Sequence, residues 1–169
     1  MNLQYYIDRL SHSPNIISAL VKGVTVEQAR WKPTPEKWSI LEVINHLDDE
    51  ERDDFRARLD GILHRPGQPL PPIDPPRWAV ERKYNERDLQ ESFGRFLQER
   101  RSSLTWLGSL KNPNWENSHQ LPHGQIRAGD FLASWAAHDL LHIRQLTKLH
   151  WEHLNRVSEP FETEYAGQW

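Results

Sequence analysis

The chain contains no cysteine. That excludes disulfides, thiolate metal ligands and a cysteine nucleophile, so any metal held here must be held by His, Asp or Glu. Long apolar runs are also missing: none approaches the roughly 18 residues needed to span a bilayer. The N-terminal stretch "MNLQYYIDRLSHSPN" lacks a basic region followed by a continuous apolar one, so no secretory signal is read. Nor is there an excess of positive charge. With 21 Lys+Arg against 24 Asp+Glu, the net charge of −3 provides no general attraction for nucleic-acid phosphates or anionic lipid. These absences predict a cytoplasmic protein with neither a nucleic-acid nor a membrane partner. No G-x-S-x-G, P-loop or G-x-G-x-x-G motif is present.

What remains is helical periodicity, with 8 Trp and 9 His to account for. The 169 residues suit one domain, 1–169, able to bury roughly 70% of its unfolded surface without staples. Leu3, Tyr6, Ile7, Leu10, Ile17, Leu20 and Val21 recur at helical spacing, interrupted by Pro14. That pattern predicts either a kinked helix or a helix starting near Pro14. Thr25 caps a short turn, and "KPTPEKW" is loop. Ser39 and Glu42 form an S-x-x-E capping box, followed by a stripe of Ile40, Val43, Ile44, Leu47, Phe55, Leu59 and Ile62. Six prolines between residues 66 and 76 predict a long surface loop. A third helix carries Leu89, Phe93, Phe96, Leu97, Leu104, Leu107 and Leu110, and the last runs from about Ala128 to His153. No segment alternates convincingly as a strand. The expected fold is all-α, a four-helix bundle with long connections.

The chemistry lies in "HDLLH", residues 138–142. On the last helix Phe131, Trp135, His138, His142, Gln145 and Leu149 fall within about 80° of one another, so both histidines point at or beside the bundle interior. Two imidazoles at i and i+4 can ligate one ion, as in helical H-E-x-x-H zinc sites. They can also be partly buried side chains that hydrogen-bond their neighbours, and a metal needs a third ligand. His46 lies at the edge of the second helix's apolar stripe, with Glu50 one turn later. The run "DDEERDD" around Asp49, Glu50 and Asp53 reads as a solvated charged face. His119 and His123 repeat the spacing, but Pro122 argues against helix there, and they read as loop histidines. His150 and His153 read as residues of a helix C-terminus.

"KWSILEVINHL" followed much later by "AAHDLLHIRQL" resembles the DinB-like (DinB/YfiT-like) metal-binding four-helix bundles, and "YNERDLQESFGRFLQERRSSL" is similar to that family's third helix. The resemblance spans residues 3 to about 150 and leaves the tail from 151 outside. It implies a three-histidine site for a divalent metal, zinc or nickel, at His46, His138 and His142. It also implies a small-molecule substrate and, since such bundles commonly pair, a homodimer. Some relatives activate a low-molecular-weight thiol, while many others are described only as metal-dependent hydrolases. Three neutral imidazoles leave a zinc-like ion its full charge and open positions. The expectation is therefore an enzyme, hydrolase or thiol transferase, using activated water or thiol as nucleophile, with Glu50 as general base or outer partner. The alternatives are a metal-holding bundle without catalysis and a helical interaction module without metal.

Overall fold

Helices begin where a side chain can occupy the first free N–H groups. The computed structural model describes residues 1–122, 124–167 and 169. Asn2 accepts from the Tyr5 N–H and opens α1 (Leu3–Val21), and Thr25 opens the short α2 (Val26–Arg30). The capping box forms as the sequence predicts: Ser39 Oγ accepts from the Glu42 N–H at 3.1 Å, and Glu42 Oε2 accepts from the Ser39 N–H at 2.8 Å. It opens α3 (Ile40–Asp49), which continues through a π-helical segment, Glu50–Arg56, into α4 (Ala57–His64). Asp74 caps α5 (Pro75–Glu81) and Asp88 caps α6 (Leu89–Ser109). The last helix, α7, spans Ala128–Ser158. The four long bodies (α1, α3 through α4, α6 and α7) make the expected four-helix bundle. Among the described residues no helix is long and apolar enough to cross a membrane.

Several local expectations are corrected. Helix α1 is continuous through Pro14, so of the two alternatives the helix starting there is excluded. The Pro-rich stretch is loop only to Asp74, because Pro75 and Pro76 sit in the first turn of α5, where a missing N–H costs nothing. Residues 111–127 contain a hairpin that the sequence does not announce, β1 (Ser118–Leu121) against antiparallel β2 (Gly124–Arg127), with Ser118 opposite Arg127. At four residues each, these strands are too short for alternation to register. Helix α7 extends five residues past the expected end, so His150 and His153 lie inside it and not at its C-terminus.

The charged run on the second helix is the main correction. Asp48, Asp49, Glu50, Glu51 and Asp54 are all buried, where the sequence reads as a solvated face. The π-helical turn widens the helix locally, and Glu50, Glu51, Asp54 and Phe55 all face inward there. Elsewhere the core divides into two apolar clusters. One holds Ile17, Val43, Leu47, Phe96 and Leu146. The other holds Leu10, Phe55, Leu107, Leu132 and Trp135. Between them each helix contributes polar groups: Ser13 on α1, Glu50 and Glu51 on the π segment, Arg100 and Ser103 on α6, and His138 with Asp139 on α7.

Arg100 occupies the centre of this layer at 2 % exposure. Its guanidinium donates to both oxygens of Glu51 at 2.8 and 2.9 Å, and to both oxygens of Asp139 at 2.6 and 2.9 Å. It also donates to the Leu10 carbonyl at 2.8 Å. That carbonyl is the one Pro14, lacking an N–H, leaves without its i+4 donor, so the proline is tolerated because Arg100 takes over its bond.

Replacing Ser39 by alanine removes the helix-start acceptor. The expected loss is about 1 kcal/mol, seen in a thermal melt as a Tm about 2–4 °C lower. An unchanged melting curve would mean that α3 is held by packing alone.

Candidate metal centre

His46 sits on α3 and is buried, while His138 and His142 are half-buried one turn apart on α7. Their Nε2 atoms converge: His46 to His138 3.2 Å, His46 to His142 3.1 Å, His138 to His142 3.0 Å. Each neutral imidazole carries one N–H, on one nitrogen or the other. For His142 the position of that proton follows from its neighbour. Nδ1 lies 2.8 Å from Gln145 Oε1, an acceptor, so the proton is on Nδ1 and the Nε2 lone pair faces the triangle. Three nitrogen atoms this close leave room for only one N–H aimed into the triangle, so hydrogen bonding among them is at best shared. A shared cation satisfies them together, and an all-imidazole set suits zinc, nickel, copper or iron. Among the described residues these three form a group able to hold a metal ion.

The electrostatics favour the ligand form of each ring. Burial pushes His46 down to about 2 and His138 to about 3, helped in both cases by the neighbouring His142, and burial also lowers His142. His46 and His138 are therefore neutral, with lone pairs free, far below neutral pH, and His142 is shifted in the same direction. Trp38 lies against His46 with ring centroids 4.7 Å apart, and Phe55 meets His138 edge-on at 5.0 Å. Both contacts are apolar and limit water around the ring faces.

Glu50 is placed behind His46 and not in front of the three Nε2 atoms. Its Oε1 is 3.6 Å from His46 Nδ1, and both atoms are buried without a hydrogen-bond partner. Burial, reinforced by Asp54, pushes the Glu50 carboxyl up to about 9. The arrangement suits an outer partner that orients His46 through its Nδ1. Sequence reasoning missed Phe55 and Trp38 as walls of the site, since both satisfy a packing role equally well.

The remaining histidines serve elsewhere. His150 bridges the Leu20 carbonyl at 2.6 Å and Gln28 at 3.1 Å, tying α7 to the end of α1 and to α2. His119 is on β1, and His123 lies outside the described residues. Loop 111–127, anchored by Asn117 on the Leu63 carbonyl at 3.1 Å, closes the end of the bundle where α7 begins. His138 is ten residues further along α7, about 15 Å away at 1.5 Å per residue.

A family model described as the DinB superfamily matches residues 9–146, the greater part of the chain. The chain belongs to the DinB superfamily. Among solved structures, this DinB chain is similar to YfiT from Bacillus subtilis, described as a probable metal-dependent hydrolase with an unusual four-helix bundle topology. The TM-score is 0.77 at 19% identity, over 87% of this chain and 85% of that one. At that identity the likeness establishes the shared fold. No curated protein matches the chain.

A pH dependence follows for the metal-free protein. Unfolded histidine takes a proton near 6.5, whereas folded His46 and His138 resist protonation until about 2 and 3. Their contribution to stability is therefore complete above about pH 6.5 and is lost progressively as the pH falls from there toward about 3 and 2. The raised Glu50 and Asp48 carboxyls run the opposite way, adding stability on acidification. The informative quantity is thus a difference. Between pH 7 and pH 4, wild type should lose denaturant stability relative to a His46→Leu/His138→Leu double variant. Parallel curves would show that the imidazoles titrate as ordinary ones.

Proposed function

We propose that the chain is a divalent-metal-dependent enzyme in which His46, His138 and His142 hold the ion and Glu50 orients His46. The observation that carries this reading is the convergence of three Nε2 atoms to 3.0–3.2 Å from two helices far apart in sequence. The similarity to YfiT, described as a probable metal-dependent hydrolase, supports the same reading. Zinc and nickel, two of the ions that an all-imidazole donor set suits, are the proposed metals.

A bound divalent ion with three neutral ligands would supply an acidified water, with its pKa lowered to about 7, or a deprotonated thiol. The chain's own residues do the rest. Gln145 holds the His142 proton on Nδ1, Glu50 backs His46, and Trp38 and Phe55 keep the ring faces dry. A hydrolase acting on a small molecule is the primary assignment. The same donor set serves a thiol nucleophile, so transfer of a low-molecular-weight thiol belongs in the same substrate screen.

Elemental analysis of tag-free protein should find about one divalent ion per chain. His138→Ala and His142→Ala should each lose it while their circular dichroism stays that of wild type. Glu50→Gln should keep the metal, bound about 10–100-fold more weakly. A wild-type chain that takes up neither zinc nor nickel would overturn the assignment and leave a helical interaction module.

A further inference from the structure

Beyond the three histidines, we infer that Arg100, Glu51 and Asp139 form a positioning clamp that sets α7 in register against the π segment and so fixes the spacing of the histidine triangle. The inference rests on the metal-centre reading above and concerns residues that touch neither metal nor substrate.

The triangle is assembled from two separate bodies, with His46 on α3 and the other two histidines on α7. A long helix packed through apolar seams tolerates small rotations and slides, because dispersion contacts are non-directional. A ligand set does not tolerate them, since displacement by a fraction of an ångström changes affinity. Something directional must link the bodies close to the site. Asp139 follows His138 directly and lies three residues before His142. Glu51 follows Glu50, one turn beyond His46. The same guanidinium grips both carboxylates with paired hydrogen bonds, a geometry that fixes angle as well as distance. Trp135 on α7 adds a second directional link, its Nε1 donating to Glu51 Oε2 at 3.0 Å, and Ser13 on α1 donates to Asp139. The clamp also carries two carboxylates against one guanidinium, and one of the two, Asp139, adjoins His138 in sequence.

A buried ion pair contributes little net stability compared with well-packed apolar side chains of similar volume. Stability and geometry are therefore separable. The test is an Arg100→Met/Glu51→Met/Asp139→Leu triple variant compared with Arg56→Met/Glu99→Leu. The second variant removes a 2.5 Å ion pair that also joins the π segment to α6 but does not reach α7. Zinc affinity is read by chelator competition. The imidazole 15N signals of the metal-free proteins report the ring tautomers independently of metal or activity.

The triple variant should stay folded and melt within a few degrees of wild type, yet bind zinc about tenfold or more weakly and lose the single set of imidazole signals. The Arg56/Glu99 variant should keep both properties. If the triple variant does not fold, Asp139→Asn, which keeps the side chain's size, gives the same two readouts. Wild-type zinc affinity with unchanged imidazole signals in a folded clamp variant would overturn the inference. A wild type that takes up no zinc would overturn the metal reading instead, and the imidazole signals would then decide the clamp alone.

Discussion

One guanidinium joins all four helical bodies of this bundle. Arg100 of α6 reaches Glu51 on the π segment, Asp139 on α7 and the Leu10 carbonyl on α1, and it does so in the interior, with Glu51 at 1 % and Asp139 at 2 % exposure. Arginine suits this position because its planar fork offers five donors at fixed angles and stays charged. Lysine could not make the paired contacts to two carboxylates at once. The apolar clusters on either side supply most of the driving force for folding, but they do not by themselves specify how far each helix is rotated. The polar layer does. A buried charge without its partner is costly, so any rotation that separates Arg100 from Glu51 or Asp139 is penalised far more than a sliding Leu–Leu contact.

Two departures from regular helix geometry fall in this layer. Pro14 leaves one carbonyl free on α1, and the freed oxygen becomes a ligand of Arg100. The π segment on the second helix brings Glu50 and Glu51 inward together, one toward His46 and the other toward Arg100. In a regular α-helix adjacent residues diverge by about 100°, which would leave one of the two poorly aimed. Both irregularities are local costs that the layer turns into contacts.

The parts of the molecule that depend on local chemistry were legible in the sequence. The Ser39–Glu42 box, the Thr25 cap, the helical stripes and the inward-facing HDLLH pair are all short-range patterns, and each stands where the sequence places it. The buried charges were not legible. "DDEERDD" has the composition of a solvated face, and the burial of Asp48, Asp49 and Glu51 depends on Arg82, Arg95 and Arg100, which only tertiary structure brings beside the run's own Arg52. Arg100 does share the helical spacing of Phe93, Phe96, Leu104 and Leu107, whereas its neighbour Arg101 is turned about 100° away and is exposed. The apolar stripe of the second helix nevertheless carries on across the π segment, with Phe55, Leu59 and Ile62 all buried.

The layer holds two carboxylates against one guanidinium, and that balance suits the metal centre proposed at its edge. The histidine donors are neutral, because burial holds them so, and hence offer an ion lone pairs without compensating its charge. Compensation must come from further away. On α7 the two histidines and Asp139 fall within about 100° of one another, so the helix that presents two of the three histidines also carries a carboxylate beside them. Arg100 cancels one of the two carboxylate charges it holds, leaving a net negative layer beside the triangle. Fully compensated ligands would bind an ion tightly and quench its ability to acidify a nucleophile. Neutral ligands backed by a remote negative charge retain the ion and leave that acidity intact.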